Sequence, residues 1–146
     1  MDSNIVVTEG FGRIIEQYML KDIYKYIGWS HFERNCLYNE AKIVSDWGLE
    51  HPDIVSNQMA RYRNEGFPEN YGLAENGVSI RCNTFEVRRL LDLWWFEYLR
   101  GARRDQLSFM YAVWKQKMQD KVKIFDCSLR DAPEFKWVQH QPTGKI

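Results

Sequence analysis

A short charged segment, Arg103-Arg104-Asp105-Gln106, has the residue types needed to hold a polar ligand. The carboxylate of Asp105 and the amide of Gln106 offer acceptor and donor groups that suit the hydroxyls of a sugar. An arginine beside them can neutralise a phosphate, because a guanidinium donates two parallel hydrogen bonds to a pair of oxygens. The alternative is structural: a carboxylate in the first turn of a helix often serves only as a cap. The segment is therefore a candidate site whose chemistry depends on its surroundings.

Three polar side chains fall within apolar helical stripes. At about 100° of rotation per residue, Glu40 and Gln58 lie on the apolar sides of two predicted helices, and Glu97 borders that of a third. Charged groups are rarely buried without a partner, so these side chains predict a shared polar interior. The candidate partners are Arg34, Arg61, Arg81 and Arg103. A purely structural network of ion pairs would produce the same pattern.

The two ends of the chain carry candidate metal ligands. Asp2 and Asn4 offer hard oxygens just before a short β-branched segment. Such oxygens suit Mg²⁺ or Mn²⁺ bound together with substrate phosphates, and a frayed terminus is the alternative. His140 precedes a Gly-Lys pair and is a further candidate, whereas His31 lies near a helix start, where a cap or surface role is common. No Ser-His-Asp or Cys-His triad can be assembled, and no glycine-rich phosphate loop is present.

Two helices joined by the charged segment are the elements that position it. The first begins after Asn83, which forms a candidate capping pair with Glu86, and the second begins at Asp105. The apolar arcs predicted for the two helices are Leu90, Leu91, Trp94, Trp95 and Tyr98, and Leu107, Met110, Tyr111, Trp114 and Met118. The short link predicts that the helices pack as an antiparallel pair, with the charged segment at one end.

The remaining patterns complete a helix-rich α/β fold, with about five helices and a few short strands. Helical spacing predicts helices over residues 13–27, 36–47 and 51–66, the first of them stopped by Gly28. Alternation predicts strands over residues 77–82 and 121–127. Residues 67–76 and the tail from Asp131 are rich in Pro, Gly or Asn and are predicted to be irregular.

Size and composition favour one domain spanning residues 1–146. The 20 acidic and 20 basic residues balance, which argues against nucleic acid as the main partner. Three widely spaced cysteines without a C-x-x-C pair predict reduced thiols rather than a disulfide framework or a zinc site. The chain lacks an apolar run of the roughly 18–20 residues that a membrane helix needs and lacks a signal pattern, so a cytoplasmic location is expected.

Four motifs follow one another in a fixed order: HFERNCLYNEA, QMARYRNEGFP, GLAENGVSIRCN and LWWFEYLRGARRDQLSFMYAVWK. Their order resembles the glycosyltransferase-like domain family of plant mucilage-related and ceramidase-named proteins and their bacterial and viral relatives, long catalogued as a domain of unknown function. The resemblance covers residues 2–117. The matching positions are His31, Arg34, Tyr38, Glu40, Ala41, Gln58, Tyr62, Gly66, Ile80, Arg81, Trp95, Glu97, Arg104, Asp105, Gln106, Leu107, Ser108, Phe109 and Tyr111.

The resemblance implies a GT-A-type transferase, a mixed α/β fold that uses Mn²⁺ or Mg²⁺, a nucleotide-sugar donor and a glycan or other hydroxyl acceptor. Asp2 and Asn4 look like the family's metal-binding D-x-N element, and His140 is grouped with them. Asp105 would position the donor sugar or act on the acceptor hydroxyl, while Gln106 and Glu97 would orient it. The other candidate substrate-binding residues are Arg103, Arg104, Arg81, Glu40, Gln58, Trp95, His31 and Arg34.

The position of the D-x-N element bears on what this chain can do alone. In the family about half a domain precedes that element, so the chain is expected to resemble the C-terminal, acceptor-side part of the domain. An upstream segment or a partner would then supply the nucleotide-binding half. The alternative is a non-catalytic module that kept this scaffold and binds glycans or a protein. A helical structural protein with ion-paired inward carboxylates is a third reading.

Overall fold

Short strands and helices alternate along the chain and form a helix-rich α/β fold. The structure, a computed structural model, describes residues 4–138. These residues form β1 (Ile5–Val7), α1 (Phe11–Ile14), β2 (Tyr26–Ser30), α2 (Leu37–Asp46), α3 (Pro52–Asn64), β3 (Ala74–Arg81), α4 (Phe85–Arg100), α5 (Phe109–Lys115), β4 (Val122–Phe125) and β5 (Phe135–Trp137). A π-helical turn, Ile15–Met19, continues α1, and a 3₁₀ turn, Asp105–Leu107, precedes α5. The predicted fold class is therefore confirmed.

The strands of this part of the chain form two sheets. β2 is the central strand of a three-stranded sheet of order β3-β2-β4, antiparallel to β3 and parallel to β4. β1 and β5 form a separate antiparallel pair, in which Ile5 lies opposite Trp137. Because β2 and β4 run in the same direction, with Trp29 beside Phe125, their carboxyl ends meet at one edge of the sheet. Such an edge is where open α/β sheets bind ligands.

Both faces of the three-stranded sheet are covered, because side chains alternate between the faces along each strand. On one face, Tyr26 and Val122 belong to the main apolar core, which residues of α2, α3, α4 and α5 complete. On the other face, Ile27, Trp29 and Val78 belong to a smaller core shared with α1, β1 and β5. The helices on the Tyr26 face carry four of the candidate site residues, Glu40, Gln58, Trp95 and Glu97.

α4 carries apolar side chains on two sides. Its N-cap is Thr84, whose hydroxyl accepts the Val87 N–H at 3.4 Å, so the predicted capping pair of Asn83 and Glu86 is wrong. The core side buries Val87 and Leu90. The opposite side exposes Phe85, Trp95, Phe96 and Leu99 by 52–65% each. The predicted apolar arc is therefore correct at Leu90 and wrong at Trp95, because Trp95 points away from the core.

α5 is shorter than predicted but packs against α4 as expected. The helix begins at Phe109 rather than Asp105 and ends before Lys117, whose positive φ of 54° breaks the helical path. The rings of Trp94 and Phe109 pack edge to face with their centroids 4.8 Å apart, which joins the two helices. Most of the second predicted arc is buried: Leu107, Met110, Tyr111 and Met118.

Residues 13–27, predicted as one helix, divide into a helical segment and a strand. Asp22 has a positive φ of 58° and turns the chain between them. Tyr26, Ile27 and Trp29 are all buried because β2 is covered on both faces, and such a run lacks the alternation that marks a strand. Gly28 is therefore no helix stop; it lies in β2, where a Cβ would stand 3.2 Å from Ile124 Cδ1.

The other predicted elements are largely present. α2 and α3 lie within the predicted ranges, and Pro52 occupies the first turn of α3. β3 and β4 overlap the predicted strands, although β3 begins at Ala74, inside the predicted loop. The tail, predicted to be irregular, contributes β5. The three cysteines carry free thiols, of which Cys36 is buried and the other two are half-buried.

Candidate functional site

An aromatic pocket lies where α4 meets the charged segment. It has a volume of about 310 Å³ and is lined by Arg81, Leu91, Trp94, Trp95, Tyr98 and Asp105. The rings of Trp95 and Tyr98 are stacked, 5.4 Å apart and 13° from parallel. Trp94 donates its indole N–H to the Asp105 carbonyl at 3.0 Å, which ties the loop to the helix. The pocket thus brings together Arg81, Trp95 and Asp105, three of the candidate residues, and it is called the aromatic pocket below.

Tyr26 lies in the core beside this pocket. It pairs with Arg81 across β2 and β3, so both side chains are on the same face of the sheet. Burial raises the pKa of the Tyr26 phenol to about 12. Ser79 and Arg81 oppose this rise, and Asp105 adds to it. The phenol therefore keeps its proton at neutral pH. Arg81 and Asp105, which both line the pocket, act electrostatically on this phenol.

Gln58 holds the loop that carries Asp105. Its Oε1 accepts the Ala102 N–H at 2.8 Å, and its Nε2 donates to the Leu107 carbonyl at 3.3 Å and to the Tyr62 hydroxyl at 2.9 Å. A Cβ on Gly101 would stand 2.6 Å from Gln58 Cδ, so the backbone can approach Gln58 this closely only as glycine. Gln58 is buried, as predicted, and in this structure its amide positions the loop.

Glu97 belongs to a buried network next to Gln58. Both its oxygens bind the Arg61 guanidinium, with 3.2 Å between Nη1 and Oε1, and the Tyr62 hydroxyl donates to Oε2 at 3.0 Å. Tyr62 stacks on Tyr111, whose hydroxyl donates to Glu65 at 2.6 Å. The predicted inward orientation of Glu97 is confirmed, since it is 2% exposed. It is not among the residues that line the aromatic pocket, so it supports the loop from behind.

The rest of the charged segment lies on or near the surface. Arg103 is exposed and donates its backbone N–H to Glu50 at 3.0 Å, a contact that helps to lower the pKa of Glu50 after the His51 N–H. Arg104 is half-buried, and its Nε has no hydrogen-bond partner among the described residues. Gln106 is half-buried within the 3₁₀ turn. The turn thus presents Asp105 to the pocket while its backbone is fixed on both sides.

A second, larger crevice lies at the carboxyl ends of β2 and β4. Its volume is about 820 Å³, and His31, Arg34, Asp126 and Asp131 are among its lining residues. Arg34 donates from Nε to the buried Glu40 at 2.5 Å and from Nη1 to Glu33 at 2.6 Å. The predicted inward orientation of Glu40 is confirmed, at 4% exposure. This region is called the strand-end crevice below.

His31 is held in one orientation in the wall of the strand-end crevice. Its Nδ1 accepts the backbone N–H groups of Glu33 and Arg34 at 3.2 and 3.3 Å. Nε2 therefore carries the proton of the neutral ring, by the logic of the hydrogen-bond network. Burial lowers the pKa of His31 below its ordinary value, against the opposing effect of Glu40. The ring is consequently a neutral N–H donor at physiological pH.

Of the three candidate metal ligands, one lies within the residues that the structure describes. Asp2 and His140 lie outside the described residues, and Asn4 is half-buried. The Asn4 carbonyl accepts the Val138 N–H at 2.8 Å, which continues the pairing of β1 with β5. Within residues 4–138, His, Cys, Asp and Glu side chains form no group of three or more that suits a metal ion. The metal assignment stays a prediction.

The candidate residues therefore occupy two places rather than one cavity. Gln58 and Glu97 support the Asp105 loop of the aromatic pocket without lining the pocket. His31 and Arg34 line the strand-end crevice, and Glu40 binds Arg34. Within residues 4–138 no hydrogen bond joins the two groups. Sequence reasoning missed Asp126 and Asp131. Asp126 directly follows β4, and the rule that parallel sheets bind ligands at their carboxyl ends identifies it only once β2 and β4 are known to be parallel.

The α/β scaffold thus carries a pocket with aromatic walls, edged by a carboxylate and a guanidinium, groups that suit a polar ring-shaped ligand. A family model described as TOD1/MUCI70, glycosyltransferase-like domain, matches residues 1–137. The chain belongs to this family, as its motifs indicated, and has a role related to glycosyl transfer. No curated protein and no solved structure matches it. Among the described residues, no helix is long and apolar enough to cross a membrane.

Proposed function

We propose that this chain takes part in transferring a sugar from a nucleotide-sugar donor to a hydroxyl group of a glycan. The observation that carries this proposal is the presence of Arg81, Trp95 and Asp105 in one pocket. Its volume of about 310 Å³ lies near the lower end of the range for ligand sites. A pocket of that size suits a single sugar unit rather than a whole nucleotide sugar.

Each lining group has a role in this proposal. The Trp95 ring, stacked on Tyr98, offers a flat apolar surface for the face of a sugar ring. Asp105 accepts a sugar hydroxyl or takes the proton of the attacking one. Arg81 balances negative charge on the departing phosphate. Gln106, Arg103 and Arg104 do not line the pocket, and the proposal assigns them to the part of the donor that extends beyond it.

A divalent metal, Mn²⁺ or Mg²⁺, is part of the proposal, held by Asp2, Asn4 and His140. Of these three residues, Asn4 lies within the described part of the chain, where its backbone carbonyl accepts the Val138 N–H. Oxygen-rich ligands fit either ion. Bound there, the metal would neutralise the nucleoside diphosphate as it leaves. We further propose that an upstream segment or a partner supplies the nucleotide-binding half of a GT-A fold, and that the protein acts in the cytoplasm.

A second candidate function is a non-catalytic module that binds glycans or a partner protein. The observation that favours it is the exposed apolar side of α4, where Phe85, Phe96 and Leu99 are each more than half exposed. A helix that is apolar on both sides usually has a partner on each. The aromatic pocket serves this function as well, without a chemical step.

Calorimetry with UDP- and GDP-sugars plus Mn²⁺, on the protein together with the segment or partner that supplies the nucleotide-binding half, separates the two functions. The transferase proposal predicts saturable binding, and transfer assays should lose at least about 100-fold in rate with Asp105→Asn, the usual scale for an acid–base group. Asp92→Asn is the matched control, because Asp92 is exposed on α4 and does not line the pocket. Full activity of the Asp105 variant would remove that residue from the site. A well-folded sample that binds none of the donors would favour the module.

A further inference from the structure

The strand-end crevice carries a hydrogen-bond donor that the protein leaves unused. The His31 side chain is 4% exposed, yet its Nε2–H has no hydrogen-bond acceptor among the described residues. The nearest carboxylate oxygen, Glu40 Oε2, is 3.9 Å from Nε2, beyond hydrogen-bond distance. The N–H is therefore a donor that the wall of the crevice can offer to an oxygen atom of a ligand.

The charge of the crevice limits what that ligand is. Its lining includes the carboxylates of Glu33, Asp126 and Asp131 and the guanidinium of Arg34. Arg34 is already bound to Glu40 and Glu33, so it has little positive charge to offer. The neighbouring carboxylates also help to raise the pKa of the Cys127 thiol, after the larger effect of burial. An anionic ligand would enter against this negative field.

The remaining wall groups suit hydroxyls. Asp126 and Asn35 are exposed polar residues with oxygens that accept hydrogen bonds, and Tyr71 and Phe125 are half-buried rings. The volume of about 820 Å³ lies near the upper end of the range for ligand sites and exceeds the 310 Å³ of the aromatic pocket. The crevice is thus large enough for more than one sugar unit.

We propose that the strand-end crevice is a second carbohydrate subsite, which takes an uncharged saccharide and disfavours acidic ones. His31 donates from Nε2 to a ligand oxygen, and Asp126 accepts from a ligand hydroxyl. Buried Glu40 positions His31 and Arg34 and does not touch the ligand. This assignment rests on the proposed function and makes the crevice the place where an extended neutral acceptor glycan binds.

Nitrogen-detected NMR of the histidine side chains tests the assignment without any substitution. The chain has three histidines, and the exposed His51 serves as an internal control, since it does not line the crevice. The probes are neutral tetrasaccharides of glucose, galactose, mannose and xylose, with tetragalacturonate as the acidic counterpart. At least one neutral probe should shift the His31 resonances saturably and leave His51 unchanged. Tetragalacturonate should bind at least about tenfold more weakly, if at all.

Variants of exposed Asp126 complete the test. Asp126→Ala should weaken binding of the neutral saccharide about tenfold, the scale of one hydrogen bond to a charged group. Asp126→Asn should reduce the difference in affinity between the neutral and the acidic probes. Asp92→Asn should change neither. Three results would each overturn the assignment. They are tetragalacturonate binding as tightly as the neutral probes or more tightly, unchanged saccharide affinity of the Asp126→Ala variant, and no detectable binding of any neutral probe. None of these probes contains a phosphate or reports on Asp105, so failure here leaves the transfer proposal to its own test.

Discussion

Glu97 and Glu40 are both buried carboxylates bound by an arginine, yet each one orders a different region of the molecule. Glu97 also accepts the Tyr62 hydroxyl, and its network fixes the loop behind the aromatic pocket. Glu40 binds Arg34, which together with His31 forms part of the crevice wall. A buried ion pair adds little net stability compared with apolar packing. Both pairs are therefore better explained by the geometry they impose on a neighbouring surface.

Removing each carboxylate compares the two regions directly and has the largest expected effect. Glu97→Ala should lower the free energy of unfolding by about 3 kcal/mol, because the buried Tyr62 hydroxyl loses its acceptor and the half-buried Arg61 keeps only a 3.5 Å contact with Glu65. Glu40→Ala should cost less, about 2 kcal/mol, because Arg34 keeps Glu33. Urea denaturation of both variants measures the difference. A larger loss for Glu40→Ala would reverse the assignment of Glu97 as the main structural group.

The closeness of Gly101 to Gln58 gives the next largest effect. Gly101→Ala would force a Cβ against the Gln58 amide, which three hydrogen bonds hold in place. We expect a loss of about 2 kcal/mol, typical of overpacking, and a displaced Asp105 loop. Gly12→Ala is the control, since a Cβ there meets nothing within 4 Å. If Gly101→Ala were as stable as that control, Gln58 would be free to move and would not position the loop.

The pH dependence of stability distinguishes the strand-end crevice from the aromatic pocket. Burial lowers the pKa of His31 below the 6.5 of an unperturbed histidine, so the unfolded chain binds more protons below that pH. The free energy of unfolding should therefore fall as the pH drops through 6.5 towards the folded-state pKa, by at most about 1.4 kcal/mol per pH unit. His31→Gln should remove this part of the slope. The exposed His51→Gln should keep it, and an unchanged slope in the His31 variant would contradict the prediction.

How much of this was predictable depended on whether a contact is local. The helical period alone placed Glu40, Gln58 and Glu97 inward, because it needs only positions within one helix. It could not show that Gln58 holds the loop, since its acceptor Leu107 is 49 positions away. It also missed β2, because a strand covered on both faces shows no alternation.

The aromatic pocket and the strand-end crevice also differed in how far local sequence patterns could predict them. The motif order gave the family and the residues of the aromatic pocket that lie on one helix and its following loop. The crevice depends on β2 and β4 being parallel neighbours, which no local pattern encodes. Its residues Asp126 and Asp131 therefore remained unnoticed until the sheet was known. Asn4 and Val138 are also far apart in the sequence, so no local pattern could predict that they pair.

The smallest expected effect on stability is at Trp95, and it separates ligand binding from folding. Trp95 is 61% exposed, so Trp95→Ala should change the free energy of unfolding by no more than about 0.5 kcal/mol. Binding of the donor sugar should nevertheless weaken about tenfold, because the stacking surface of the pocket is lost. Phe96→Ala is a close control: Phe96 is the next residue on α4 and 54% exposed, but it does not line the pocket. Calorimetry on both variants decides the point, since equal weakening would mean that the exposed side of α4, rather than the aromatic pocket, makes the contact.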